Sequence, residues 1–396
     1  MRNRIHNLKR SRRSAFTRNK VQLIRGGHEY FELIDSLIRN AKQSIHLQTY
    51  IFEDDETGQF VTDALIEAAG RKVDVYLLLD GYASQDLSTG FIEKLVNAGV
   101  HFRYFEPLIK SRNFYFGRRL HSKVLVTDLN IAVVGGVNIT NRYNDMPGQP
   151  AWLDFALFVE GPAAIEAYKL CVSVWQGKKR RRRHIDEIPA INEFDFHDSE
   201  TSGVRLRRND WVNNRLQISN SYLEMFRTAT SNIIILSSYA LPGNIFRKNL
   251  EKAIRRGVKV KMIISSQSDV LLIKQAEKYW YDWLIRNNIE IYEYTKNVLH
   301  GKLAICDGEW MTIGSYNVND LSAYVSIELN FDVRDNIFVQ KVEQTLQKII
   351  DEDCTRITFE NFARTTNIWK RMGRWFAYNV IRFSLSIFTF YYRRQK

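Results

Sequence analysis

LHSKVLVTD at residues 120–128 and LHGKLAICD at residues 299–307 share the pattern His-x-Lys-x4-Asp. Each is followed by a small-residue pair and an asparagine: Gly135-Gly136-Val137-Asn138 and Gly314-Ser315-Tyr316-Asn317. The step from His to Asn is 17 residues in both copies. One such motif is weak; two in the same register make chance untenable, so the chain is written twice.

Working outward, the copies extend upstream. Ser44–Phe52 and Asn232–Ala240 read as strands ending near Tyr50 and Tyr239. Helical patterns follow over 57–69 and 244–256, then strands at Val73–Leu79 and Val258–Ile264, then helices over 88–98 and 275–287. A third strand opens at Val100 or Ile289, 50 residues after the tyrosine in each copy. Alternating strands and helices predict an α/β fold: two repeats, each a mostly parallel sheet flanked by helices, packed with pseudo-two-fold symmetry. The copies differ between the third strand and the motif. Val100 to His121 is 21 residues and Ile289 to His300 is 11. The extra residues fall in a basic, aromatic stretch where Phe114, Tyr115, Phe116, Arg118 and Arg119 are candidates for admitting substrate or touching a membrane.

The chain has 396 residues, 45% of them hydrophobic and 26% charged, enough for sizeable cores and too much for one typical domain. Three scattered cysteines exclude a disulfide framework. The formal charge of +13 is unevenly placed. Residues 1–20 contribute +8, Lys178–Arg183 +6 and residues 361–396 +8, leaving a body at −9. Basic tails beside apolar segments suit an anionic membrane surface better than nucleic acid, which more often meets a basic folded face. The division expected is a basic arm (1–21), a first domain (22–183), an acidic linker (184–203), a second domain (204–355) and a basic, aromatic C-terminal segment (356–396). In that last segment Trp375–Tyr392, read as a helix, sets a polar stripe (Asn379, Arg382, Ser386, Thr389, Arg393) against a broad apolar surface. This reads as peripheral attachment in the interface, with a helix packed on the core as the alternative; no secretory signal is visible.

In an extended segment residues i and i+2 share a face, so His121 points with Lys123 and His300 with Lys302. Asp128 and Asp307 have the opposite parity and belong near the next turn, in a supporting role. Two ammonium groups suit a phosphodiester, with Asn138, Asn317 and Ser315 as neutral donors and Gly135, Gly136 and Gly314 letting the backbone approach. One neutral imidazole can attack phosphorus while the other, protonated, serves the leaving alkoxide. Asp154 and Glu328, one after each motif, are candidates for orienting the imidazoles. A lysine two residues from each histidine disfavours a divalent cation, so no metal or other cofactor is expected. The six remaining histidines (6, 28, 46, 101, 184 and 197) read as surface or core residues.

With these motifs the chain resembles the phospholipase D superfamily, and within it the bacterial cardiolipin synthases. RRLHSKVLVTDLNIAVVGGVNIT, Trp152-x-Asp154 and Glu160-Gly161-Pro162 carry the likeness in the first half; LHGKLAICDGEWMTIGSYN and Glu328-x-Asn330 carry it in the second. The resemblance implies a metal-free, two-step transfer through a phosphohistidine. Phosphatidylglycerol is then donor and acceptor, His121 the nucleophile and His300 the acid. Asn319 and Leu321 stand where many cardiolipin synthases have Asp and Arg; the leucine also occurs in the subgroup without N-terminal transmembrane helices. Three readings follow: the transferase at the cytoplasmic face of a bacterial membrane, a phosphodiester hydrolase of phospholipid or nucleic acid, and a lipid-binding scaffold without activity.

Overall fold

The computed structural model of the chain describes residues 15–107, 118–177, 194, 196–268, 270–319, 326–364 and 366–394. The first repeat comprises β1 (Thr17–Arg25), α1 (His28–Asn40), β2 (Ser44–Thr49), α2 (Glu56–Gly70), β3 (Asp74–Asp80), α3 (Thr89–Asn97), β4 (His101–Phe105), β5 (Arg119–Leu120), β6 (Lys123–Thr127), β7 (Ile131–Gly135), β8 (Phe155–Glu160) and α4 (Pro162–Gln176). The second opens with β9 (Ser202–Asp210), β10 (Arg215–Leu216) and α5 (Gln217–Thr228). It continues through β11 (Asn232–Ser237), α6 (Asn244–Arg255), β12 (Lys259–Ser265), α7 (Leu271–Arg286) and β13 (Glu290–Tyr294). After β14 (Lys302–Cys306), β15 (Trp310–Gly314), β16 (Ser326–Arg334) and α8 (Asn336–Asp353), the chain ends in β17 (Cys354–Ile357), α9 (Phe359–Arg364) and α10 (Ile368–Arg394). Several helix starts are fixed by side-chain caps: Asp55 accepts from Gly58 N–H, Ser88 from Phe91 and Asp335 from Phe338.

Each sheet is mixed. β2, β3 and β4 pair in parallel through helical crossovers, and so do β11, β12 and β13. On the other side of β2 and β11 the pairing is antiparallel, through β6, β7 and β8 in one repeat and β14, β15 and β16 in the other. The reason is local: the motif strands end in tight turns, with Asp128 and Leu129 at φ 49° and 70° and Asp307 and Gly308 at 54° and 65°. Consecutive positive-φ residues make the hairpin turn that matches strand twist, so each motif strand must fold back on itself.

β1 pairs antiparallel with β8 of its own repeat and with β9 of the other, joining the sheets. Between them lies a shared apolar core in which Val124, Phe155 and Leu157 pack with Leu303, Ile313 and Phe331. The basic stretch expected as an arm to residue 21 is therefore strand from Thr17 onward, and β9 takes the last two residues of the expected linker. Residues 178–193, most of the basic run and linker, lie outside the described residues, as do Phe114, Tyr115 and Phe116. Arg118 and Arg119 are built into the body: Arg118 pairs with Glu106 at 2.9 Å and Asp210 at 3.1 Å, and Arg119 lies 3.5 Å from buried Asp80.

α10 packs on α7 through Arg374, Ala377, Tyr378 and Ile381, with Tyr378 stacked on Tyr279 at 4.8 Å. The opposite face is exposed: Trp369 is 75% accessible, Phe376 63% and Phe383 67%. Among the described residues no helix is long and apolar enough to cross a membrane.

Candidate active site

Each histidine sits just before its motif strand and is held by the other repeat. His121 N–H donates to the Ile327 carbonyl at 3.1 Å, and His300 N–H donates to the Leu153 carbonyl at 2.7 Å. Ile327 and Leu153 directly precede Glu328 and Asp154, so these backbone bonds set each imidazole against a carboxylate of the opposite half. His121 Nδ1 lies 2.9 and 3.0 Å from the two Glu328 oxygens, and His300 Nδ1 lies 2.7 Å from Asp154 Oδ2. The expected carboxylates are thus the partners, and the pairing is crossed. With Nδ1–H given to a carboxylate, Nε2 of each ring is the free nitrogen.

The lysines close the floor. Lys123 Nζ donates to the His121 carbonyl at 2.7 Å; Lys302 Nζ donates to the His300 carbonyl and stands 2.9 Å from His300 Nδ1. Both lysines are buried. Burial, with Lys302 adding to it against Glu328, pushes Lys123 down to about 7. Burial and the Lys302 charge push His300 down to about 3 although Asp154 opposes them, and burial likewise lowers His121 against Glu328. Asp154 is lowered: burial acts upward, but Lys302 and His300 outweigh it. Lys302 acts on His121 and Lys123 on His300, so the two half-sites share one field. The sequence asks for imidazoles in opposite protonation states; the site alone holds both toward neutral. An anion placed between the lysines removes the charge that depresses the rings and favours protonating one of them.

The small-residue pairs are not equivalent. A Cβ at Gly136 would fall within contact of both Asp154 oxygens, whereas Ser315 occupies the matching position beside Glu328 and donates its hydroxyl to that carboxylate. The same Ser315 oxygen accepts from Leu329 N–H at 3.1 Å. Gly136→Ala is expected to displace Asp154 and lower kcat by about 100-fold or more. Ser315→Ala removes one hydrogen bond to a charged group and should cost about ten- to 100-fold. Steady-state kinetics with matched circular dichroism spectra checks both.

Asp128 and Asp307 are not brought to the site. Each lies beyond the far end of a five-residue strand, roughly 20 Å along an extended chain from its histidine. Asp128 accepts from the backbone N–H groups of Lys42, Gln43 and Ser44, and Asp307 from those of Thr230, Ser231 and Asn232. They tie the hairpin turn to the start of the adjacent strand, β2 in one repeat and β11 in the other. Burial acts upward on Asp307, but the bonds from Thr230, Asn232 and Ser231 together outweigh it and hold the carboxyl below the usual range. Asp128→Ala should cost about 2–3 kcal/mol of stability while leaving kcat per folded molecule unchanged, as thermal melts paired with active-site titration would show.

The asparagines lie at strand ends beside the motif. Asn138 Oδ1 accepts from Ile51 N–H at 3.2 Å and Asn317 Oδ1 from Ser238 Oγ at 3.0 Å. Three aromatic neighbours receive no site role from the sequence. Tyr50 meets His121 edge-on at 4.9 Å, Tyr143 meets His300 at 5.0 Å and Trp152 lies 6.2 Å from His300. Asp80 receives none either: its Oδ2 accepts from Leu120 N–H at 2.7 Å, as Ser265 Oγ accepts from Leu299 N–H at 3.0 Å. The available signal is position, since both end an apolar parallel strand at its C-terminal edge, where α/β sites gather. Of the other histidines, His46 is buried and stacked on Tyr76 at 4.6 Å, His28, His101 and His197 are exposed, and His6 and His184 lie outside the described residues.

The family model described as cardiolipin synthase, PLD-like domain matches the chain twice, over residues 34–163 and 222–350. Cardiolipin synthase B of Salmonella typhimurium is 34% identical over 367 residues, covering 92% of this chain and 88% of that protein. Cardiolipin synthase B of Escherichia coli (strain K12) is 34% identical over 342 residues, covering 86% and 82%. Among solved structures, phosphatidylserine synthase of Haemophilus influenzae aligns with a TM-score of 0.71 over 94% of this chain and 96% of that one. At 13% identity that likeness is one of fold.

Proposed function

Since the chain belongs to the cardiolipin synthase, PLD-like family and is a phosphatidyltransferase of that type, we propose that it transfers a phosphatidyl group between two phosphatidylglycerol molecules through a phosphohistidine on His121. The observation that carries this reading is the crossed pair, in which each Nδ1 is held by the opposite repeat's carboxylate and both lysines lie beneath. The donor phosphate lies between Lys123 and Lys302, and its charge favours proton uptake by His300. His121 Nε2 attacks phosphorus, the bond to the glycerol oxygen breaks, and His300 Nε2–H protonates that oxygen. A second phosphatidylglycerol hydroxyl then gives its proton to His300 and attacks phosphorus. Cardiolipin leaves with His121 restored. No step in this sequence is assigned to a metal.

The exposed aromatic face of α10, flanked by Lys370 and Arg371, supports a peripheral position on an anionic membrane. Incubation with phosphatidylglycerol vesicles in excess EDTA tests the reading: cardiolipin and glycerol in equal amounts are expected. Phosphatidic acid without cardiolipin would assign water as the acceptor instead.

A further inference from the structure

A cleft of about 340 Å³ lies between α7, α9 and α10, lined by none of the residues around the histidines. Its wall holds four cations, Lys278, Arg286, Arg371 and Arg374, and one carboxylate, Asp282. The ion pairs reaching them are long: Arg371 to Asp282 at 3.7 Å and Lys278 to Glu293 at 3.9 Å. Arg374 is only 7% exposed. Its Nη1 donates to Thr366 Oγ1 at 2.9 Å and its guanidinium lies over the Phe362 ring at 4.8 Å. Its Nε is buried and has no hydrogen-bond partner among the described residues. Burial holds Lys278 below its ordinary value against Glu293, and Arg374 below its own against Tyr281 and Asp282. A partly desolvated basic cluster of this kind favours an oxyanion, and arginine suits phosphate geometry in particular.

The rim identifies the anion's carrier. Met372 and Trp375 line the cleft and also belong to the exposed apolar face of α10, so an occupant meets cations and an apolar surface together. We propose that this cleft binds the phosphate of an anionic phospholipid that is not being turned over, seating the second repeat on the bilayer at a point separate from the catalytic histidines. The proposal rests on the reading of α10 as membrane-facing.

The test is equilibrium binding of the full chain to phosphatidylcholine vesicles with and without one-fifth phosphatidylglycerol, with turnover measured separately in detergent micelles. The cleft variant is Lys278→Gln with Arg286→Gln. A charge-matched control is Arg364→Gln with Lys248→Gln, exposed residues that do not line the cleft. The cleft variant should bind phosphatidylglycerol-containing vesicles about tenfold or more weakly. Its binding to pure phosphatidylcholine and its micellar turnover should not change, and the control should lose at least threefold less. Equal losses in the two variants would overturn the proposal by reducing the effect to diffuse surface charge. If millimolar inorganic phosphate abolished the vesicle preference, the cleft would belong to free phosphate and the lipid assignment would fall. Either failure leaves the micellar activity, and with it the reading of the catalytic site, standing.

Discussion

His121→Ala and His300→Ala should each lose about 10⁴-fold or more of phosphatidylglycerol turnover, yet a donor with a better leaving group should separate them. Glycerol leaves as a strongly basic alkoxide and needs a proton; p-nitrophenolate does not. Given phosphatidyl-p-nitrophenol, His300→Ala should release a burst of about one p-nitrophenolate per chain, because His121 still attacks and only the later transfer lacks its base. His121→Ala should give no burst. Mass spectrometry of the quenched His300→Ala protein should find the adduct on His121, lost in acid as a phosphorus–nitrogen bond is. A burst from His121→Ala alone would exchange the two roles, and no burst from either would remove the covalent intermediate. The near-symmetry of the site gives this experiment its force, since His300 is buried and His121 partly so, both are lowered and both are held through Nδ1.

Much of this site is legible in the sequence because a duplicated motif repeats both residue type and spacing. His121, Lys123, His300 and Lys302 follow from parity along a strand, and the strand–helix alternation places them at one edge of each sheet. The crossed pairing of Asp154 and Glu328 is not legible, because it depends on Leu153 and Ile327 accepting backbone bonds from the opposite repeat, more than 140 residues away in one case and 200 in the other. Asp128 and Asp307 are legible in part. Parity along the strand places them at the turn, but their partners, the backbone N–H groups that open β2 and β11, lie about 75 to 86 residues away, so their task in chain reversal is not legible. Tyr143 and Trp152 occur in one copy only, so a search for repeats passes over them. The antiparallel half of each sheet follows from turn residues, which a count of strands and helices does not weigh.

The crossed carboxylates make a second large effect measurable, and it reports role as well as importance. Glu328→Gln and Asp154→Asn keep the shape of each partner while removing its charge. Loss of an orienting carboxylate from a catalytic imidazole costs about 10³–10⁴-fold in comparable sites. The direction of the accompanying pH shift differs by role. Glu328 raises the His121 imidazole, so Glu328→Gln lowers it further and leaves the ring neutral, and able to attack, over a wider range. The rising acid limb of kcat, which reports the donor-bound site, should then move to lower pH. Asp154 raises His300, so Asp154→Asn makes the proton donor harder to protonate. The falling alkaline limb should move to lower pH in that variant, with the acid limb in place. If His121 were the acid and His300 the nucleophile, the two variants would exchange limbs, a result independent of the burst experiment. If neither limb moved, the carboxylates would act on geometry alone, and the proton would have to come from elsewhere in the site, with Lys123, pushed down to about 7, the group whose titration lies nearest.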